Sequence, residues 1–205
     1  ADYKKRMKEG QKAIYYLTGE SEDRVRKSPI LEMYKKEGIE VLLCFDEIDE
    51  LVIPMIGRYG DMELKAANRT GAEEDIQSKE AKQKQKENAP LAEKIKKALG
   101  NLVKDVRVSS RLSESPACII LDEQDPSMQM AQLMKALGRG EEVEVKPILE
   151  INPDHALLKK AQSSDNEELT ADIAHVLLNQ ALLLEGVPIK DPADFVTRLN
   201  RLLSQ

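Results

Sequence analysis

The residues most suited to chemistry are three carboxylates in one short stretch, Asp46, Asp49 and Glu50. Carboxylates grouped in this way could exchange protons with a substrate or hold a metal ion. They lie where a predicted strand passes into a predicted helix, and acidic residues at a helix start are also explained by capping and by the helix dipole. A carboxylate-based enzyme is therefore kept only as an alternative.

Other catalytic chemistry has few candidates. His155 and His175 are far apart in sequence and are expected to cap a helix and to line a solvated strip, while Cys44 and Cys118 sit in apolar runs typical of reduced, buried thiols. The ten glycines are scattered singly, so no glycine-rich loop is available to hold a phosphate. We expect no catalytic residue, metal or cofactor in this chain, and no binding of ATP.

Methionines are concentrated in one short stretch that starts at Asp125-Pro126 and ends at Gly138. Its apolar positions are spaced i, i+3, i+4 and i+7, as on one face of a helix: Met130, Leu133, Met134 and Leu137. Flexible, polarisable methionine is over-used on surfaces that adapt to many partners. A methionine stripe at helical spacing is also common in packed cores, so the pattern alone leaves both interpretations open.

Composition excludes two classes of partner. The 205 residues include 33% charged residues but carry a net charge of only -6, which gives no electrostatic reason to expect nucleic acid. No apolar run approaches the ~18 to 20 residues of a membrane span, and the N-terminus lacks the layout of a signal peptide. We expect a cytoplasmic protein of two domains that has no contact with membranes.

Residues 169–205 are predicted to form two helices separated at Gly186 and Pro188. The first helix is apolar nearly all round, apart from a thin polar strip that includes Asp172 and His175, so it must be covered from several sides. The same pair from a second copy would supply that cover as a four-helix bundle about a two-fold axis. The alternative is that the first helix is the central helix of a monomeric core.

The predicted dimer interface consists of ten apolar residues of this helix pair. Their burial at ~1.5 to 3 kcal/mol each would give a gross gain of order 15 to 30 kcal/mol before entropy is subtracted. They are Leu169, Ile173, Val176, Leu177, Ala181, Leu184, Phe195, Leu199, Leu202 and Leu203.

Upstream, residues 1–75 alternate strands and helices as a small α/β layer with a βαβ unit. Strands are predicted at 12–17, 39–45 and 62–67, the second apolar enough to be buried on both faces, and a helix over 47–59 should be bent or shortened by Pro54. Residues 76–98 favour a charged, solvated linking helix, with an unstructured tether as the alternative.

Residues 99–205 complete the predicted α+β fold with a three-stranded sheet and helices that end in the dimerising pair. The strands are expected at 103–109, 116–121 and 143–151.

Eight stretches carry a resemblance to a known family. In chain order they are 3–21 (YKKRMKEGQKAIYYLTGES), 28–32 (SPILE), 35–42 (KKEGIEVL), 46–50 (DEIDE), 105–112 (DVRVSSRL), 115–117 (SPA), 150–155 (EINPDH) and 191–192 (DP). They strongly resemble the ninety-kilodalton heat-shock chaperone family, and its bacterial members most closely. The likeness covers nearly the whole chain in order.

The resemblance implies a piece of a longer ATP-dependent chaperone, comprising the end of its middle domain and its C-terminal dimerisation domain. It implies a homodimer that contacts unfolded or partly folded client proteins. ATP and Mg would bind in an N-terminal domain that this piece lacks. Residues 202–205 differ from the acidic Glu-Glu-Val-Asp tail of eukaryotic relatives, so no tail-recruited helical-repeat cochaperone is expected.

The matching positions assign client contact to five residues: Glu50, Leu51, Met130, Leu133 and Met134. Two of them depart from the family, because Leu51 and Met134 stand where relatives often carry an aromatic residue. Their apolar character is kept. A pure dimerisation scaffold without client contact is the alternative function.

Overall fold

The computed structural model describes residues 2–46, 48–128, 130, 131, 134 and 145–204. Residues 2–76, which we call the first unit, contain eight elements. In order they are α1 Asp2–Arg6, β1 Ala13–Thr18, α2 Glu22–Lys27, α3 Leu31–Glu37, β2 Val41–Cys44, α4 Asp49–Ile56, β3 Arg58–Tyr59 and β4 Met62–Ala66.

β1 lies inside the first sheet, whose strand order is β2-β1-β4-β3. It runs parallel to both β2 and β4, and the chain passes through α2 and α3 between β1 and β2, which confirms the predicted βαβ unit. Every residue of β1 except Thr18 is buried. The rings of Tyr15 in β1 and Tyr34 in α3 pack with their centroids 5.0 Å apart, so α3 covers one face of the sheet.

For the first unit, the predicted burial of β2 on both faces was wrong, and the helix predicted over 47–59 is shortened, as was expected from Pro54. β2 is a partly exposed edge strand and is not buried on both faces, since an apolar sequence does not tell a strand with one neighbour from a strand with two. The helix predicted over 47–59 is confined to Asp49–Ile56 among the described residues. Gly57 has a φ of +62° and turns the chain, so that β3 pairs antiparallel with β4.

The charged stretch predicted as a linking helix, residues 76–98, forms two helices of different character. α5 Lys79–Glu87 begins at Ser78, whose Oγ accepts a hydrogen bond from the Ala81 N–H at 3.1 Å, and it buries no residue. α6 Ala89–Leu99 has Pro90 in its first turn and buries Leu91, Ala92, Ile95 and Leu99. Only α5 is therefore the solvated helix that the sequence predicted, because α6 has an apolar face that packs in a core.

From α6 onward the chain forms what we call the second unit. After a 3-10 turn at Gly100–Leu102 come β5 Asp105–Val108, β6 Ala117–Ile120, β7 Ile148–Ile151, α7 Ala156–Ser163, α8 Glu167–Leu184 and α9 Pro192–Leu203. The strand order is β5-β7-β6, with β5 parallel and β6 antiparallel to β7. The α+β class and the three-stranded sheet are confirmed; residues 143 and 144 of the third predicted strand lie outside the described part.

The strand pair β6 and β7 is apolar on both faces, and each face belongs to a different core. Ala117 and Ile119 of β6 pack with α6 and α8 in what we call the helical core. Cys118 and Ile120 point the other way and pack with β1 and α3 in what we call the junction core. Apolar residues of the two units thus share one core, and the domain boundaries predicted at 75 and 98 stay predictions.

Arg111 is the polar centre of the contact between the units, and its side chain is fully buried. Its Nη1 donates to the Ala67 carbonyl at 2.7 Å and its Nη2 donates to the Arg69 carbonyl at 3.0 Å, both in the first unit. Two carboxylates neutralise the guanidinium: Glu73 of the first unit, and Glu150 of β7 at 3.3 Å from Nε. A buried cation requires such partners, so the two units are tied together at this point.

The buried position of Arg111 gives a test of the junction. Arg111→Met should lower the free energy of unfolding by about 3 to 5 kcal/mol, because it leaves two carboxylates buried without a cation. Urea denaturation followed by circular dichroism measures the change.

Arg26→Met is the matched control. Arg26 pairs with Glu22 four residues away on the surface of α2, where an exposed ion pair contributes only about 0.2 to 1 kcal/mol. Equal losses of stability in the two variants would show that Arg111 does not hold the units together.

Candidate functional site

Helix α4 presents an apolar face to solvent. The residue before it and four residues on it are spaced i, i+3, i+4, i+7 and i+8 and are 40 to 86% exposed: Ile48, Leu51, Val52, Met55 and Ile56. No residue of α4 is buried. Soluble chains rarely leave a contiguous apolar stripe uncovered unless another molecule contacts it, so α4 is the first element of the candidate site.

Hydrogen bonds at both ends of α4 hold it in place. At its start, Asp49 Oδ2 accepts from the Asp46 N–H at 3.1 Å; the residue at the cap position is Ile48, so Asp49 ties the preceding turn to the helix and does not cap it. At its end, the Gly57 carbonyl accepts from the Leu64 N–H of β4 at 2.9 Å. Within the described ranges, no three His, Cys, Asp or Glu side chains are arranged to hold a metal ion.

We call residues 125–138 the methionine segment, and its described start lies next to α4. Ser127 Oγ donates to Glu50 Oε2 of α4 at 2.7 Å and accepts from the Met130 N–H at 3.0 Å, so one hydroxyl joins the two elements. Met128, Met130, Ala131 and Met134 are in helical conformation. Met134 is 41% exposed and Met130 is half-buried, whereas Leu133 lies outside the described residues. The Ser127 hydrogen bond thus places the described start of the methionine segment beside Glu50, while client contact by the five predicted residues stays a prediction.

Neither cysteine is set up as a nucleophile. Burial raises the pKa of the half-buried Cys44 thiol to about 11, with the nearby Asp49 carboxylate adding to the effect. Burial also raises the pKa of the Cys118 thiol well above its usual value, and Glu150 adds to it. A thiol must ionise to act as a nucleophile, so both behave as small apolar groups at neutral pH.

The residues predicted to form the dimer interface fall into two groups. Five are buried within the single chain, most of them in the helical core: Leu169, Ile173, Val176, Leu177 and Ala181. The other five are partly or largely exposed: Leu184, Phe195, Leu199, Leu202 and Leu203. The all-round apolar character of α8 is therefore met largely by α6, α7, α9 and β6 of the same chain, and only its end remains open at Leu183 and Leu184.

α9 is attached to α8 through a cluster of charges. Asp172 of α8 is 1% exposed and its Oδ1 accepts from Arg198 at 3.0 Å and from Arg201 at 2.6 Å, both on α9. The predicted solvated strip is wrong at Asp172, because the two arginines cover it. His175 is half-buried beside them, and burial together with Arg198 lowers its pKa. α9 thus faces the rest of the second unit with Arg198, Arg201 and the apolar Leu202, and exposed Val196 and Leu203 are left on its surface.

The end of α8 packs against the first unit at a place that the sequence pattern did not indicate. Gly186 has a φ of +77°, and a Cβ there would lie 2.5 Å from Glu20 Oε1 and 2.7 Å from Arg24 Nη1. Burial raises the pKa of the preceding Glu185 to about 7, and the carboxylate of Glu50 on α4 adds to the effect. Glu185 is therefore coupled electrostatically to Glu50 on α4.

Comparisons with known proteins agree with these features. The family described as "Hsp90 protein" matches residues 1–205. The chain is 52% identical over 208 aligned residues to "Chaperone protein HtpG" of Treponema denticola, covering 100% of this chain and 32% of that protein. It is 47% identical to "Chaperone protein HtpG" of Wolinella succinogenes, covering 99% and 33%. The chain thus spans about a third of the length of these curated relatives.

Glu185 predicts a pH dependence of stability. The Glu185 carboxyl holds its proton more tightly in the folded state than in the unfolded state. Below about pH 4.5 it is protonated in both states and does not affect the free energy of unfolding. As the pH rises from there to about 7, the carboxyl progressively lowers that free energy. Glu185→Gln should remove that cost, making the variant more stable than the parent by up to about 3 kcal/mol at pH 8, with little difference attributable to this group at pH 4.5. Urea denaturation across this range measures the difference.

Glu167→Gln, on the exposed first turn of the same helix, controls for the loss of one negative charge. A difference between Glu185→Gln and the parent that does not grow with pH would contradict the assignment.

Proposed function

The chain belongs to the Hsp90 family, and we propose that it supplies two functions of a molecular chaperone: contact with unfolded or partly folded client proteins and pairing of two copies. Both relatives described above are named as the chaperone protein HtpG. The chaperone would act in the cytoplasm. In the longer protein, ATP and Mg would bind in parts other than these 205 residues. The sequence supports this division because its glycines form no phosphate-binding loop.

One observation carries the client-contact proposal: α4 has an apolar stripe and no buried residue. The two cores of the chain are closed without it, since among the described residues none on α4 belongs to the helical or the junction core. An exposed apolar helix face fits polypeptides that have exposed apolar side chains of their own, which is the distinguishing property of incompletely folded proteins.

The methionine segment extends the same surface. Ser127 and Glu50 hold its start beside α4, and Met134 adds an exposed thioether side chain. Methionine has three rotatable side-chain bonds and adjusts to partners of different shape. A surface that combines the α4 stripe with flexible methionines therefore suits many sequences better than one.

Replacing Leu51 and Met55 of α4 by serine tests client contact. Because both side chains are exposed, the double variant should keep the melting temperature within about 2 °C of the parent. Its affinity for a reduced and alkylated protein that cannot fold should fall about tenfold, since two apolar contacts are lost. Fluorescence anisotropy with the labelled unfolded protein measures the affinity.

Leu102→Ser is the matched control, since Leu102 is 46% exposed against 49% for Leu51 but lies on the 3-10 turn after α6. An unchanged affinity in the α4 double variant, or an equal loss in the control, would favour a pure dimerisation scaffold that does not hold clients.

The pairing proposal rests on the apolar residues that the chain leaves uncovered at the end of α8 and along α9. These are Leu183, Leu184, Val196 and Leu203, together with half-buried Phe195 and Leu199; Leu202, also predicted for the interface, packs against the helical core of its own chain. Asp172 and the two α9 arginines fix α9 on α8, so the residues form one surface with a defined shape. The same helix pair of a second copy would cover it as a four-helix bundle.

A triple variant, Leu184→Glu, Val196→Glu and Leu203→Glu, should be a monomer in sedimentation velocity while its circular dichroism stays that of the parent. All three side chains are exposed, so the new charges oppose association without entering a core. Val52→Glu on α4 should leave the dimer intact. Persistence of the dimer in the triple variant would place the interface elsewhere.

A further inference from the structure

A groove of about 560 Å³ opens beside the C-terminal end of α4. Pro54 and Gly57 form its side toward α4, and β4 and the turn after it form its floor. Five charged side chains line it: Glu63, Lys65, Arg69, Glu74 and Glu123. Because the groove starts at the C-terminal end of α4, a bound polypeptide lying along the apolar stripe would continue into it.

The positive charges in the groove already have partners. Lys65 Nζ lies 3.2 Å from Asp75 Oδ2, and Arg69 Nη1 donates to the carbonyls of Asp122, at 2.8 Å, and Asp125. Arg69 is thereby used to tie the turn after β4 to the loop that leads into the methionine segment. Asp75 therefore neutralises Lys65, whereas Arg69 keeps its positive charge, because carbonyl oxygens accept its N–H groups without cancelling that charge.

Negative charge is in excess in the groove, because three carboxylates stand against one cation, Arg69, that no described carboxylate pairs with. Glu63, Glu74 and Glu123 are exposed and form no ion pair within the described part of the chain. At the other end of α4, Asp46 and Asp49 carry two further carboxylates beside the apolar stripe. Arg58 follows α4 and donates to the Asp61 carbonyl at 2.8 Å. Negative charge thus lies at both ends of the apolar stripe.

We propose that the polypeptide segments held on α4 are apolar segments flanked by lysine or arginine, with the apolar side chains on the stripe and a cationic side chain in the groove. This inference rests on the proposed client contact and adds the chemical class of the client. Acidic segments would meet unpaired carboxylates at both ends of the helix, and like charges brought together in this way repel.

Three peptides of equal length test the proposal on the 205-residue chain. One has a leucine-rich core between lysines, the second has the same core between glutamates, and the third has a serine-glycine core between lysines. Fluorescence anisotropy at low salt should show the first binding about threefold to tenfold tighter than the second, which corresponds to one or two exposed ion pairs. The third should bind more weakly than the first, and added salt should reduce the preference for lysine.

Two triple variants locate the effect. Glu63→Gln, Glu74→Gln and Glu123→Gln together should lower the ratio of the first two affinities at least about twofold, with Asp46 and Asp49 at the other end of α4 accounting for what remains. Glu80→Gln, Glu93→Gln and Glu114→Gln remove the same charge from exposed glutamates that neither line the groove nor lie on α4, and should keep the parent's ratio.

The outcomes separate the two proposals. Equal binding of both leucine-rich peptides to the parent, or an equal loss of preference in the two triple variants, would overturn the charge inference and leave client contact standing. Binding of neither leucine-rich peptide would overturn client contact and the inference with it.

Discussion

The strand pair β6 and β7 is apolar on both faces, and this constraint organises the chain. One face requires α6 and α8, and the other requires β1 and α3 from the first unit. A sheet that needs cover on both sides cannot be completed by either unit alone. The buried charge of Arg111 reinforces the arrangement, because its partners Glu73 and Glu150 come from the two sides of the contact. Glu32 of α3 adds to it by accepting from the backbone N–H groups of residues 113 to 115.

Once these two cores are closed, exposed apolar residues of the described part of the chain are grouped at two places. One is the stripe on α4, and the other is the end of α8 together with α9. Their surroundings differ. Carboxylates lie beside the α4 stripe, whereas α9 is fixed on α8 by an ion cluster and presents a shaped apolar surface. A rigid apolar surface suits a partner of constant shape such as a second copy. A stripe beside flexible methionines suits partners that vary.

The sequence predicted local features well. β3 lies in residues predicted as helix, but the three predicted strands of the first unit, found as β1, β2 and β4, and the His155 cap of α7 are confirmed. These features depend on residues close together in the chain. The resemblance to the family is also confirmed by the comparisons.

What the sequence did not predict depends on residues distant in the chain. The edge position of β2, the burial of α6, and the burial of Asp172 under two α9 arginines are set by neighbours that no local pattern names. The connection from Glu185 to Glu50 is of the same kind. For α8 the pattern showed correctly that cover was needed on all sides, but it could not show that the same chain supplies most of that cover.

The central claim is that the apolar face of α4 is uncovered and receives unfolded polypeptide. Methyl NMR of the chain labelled at Ile, Leu, Val and Met, recorded as an unfolded protein is added, tests this most directly. We expect the signals of Ile48, Leu51, Val52 and Met55 to shift or broaden first, while those of Ile173 and Leu177 in the helical core stay unchanged. Unchanged α4 signals together with shifts elsewhere would contradict it.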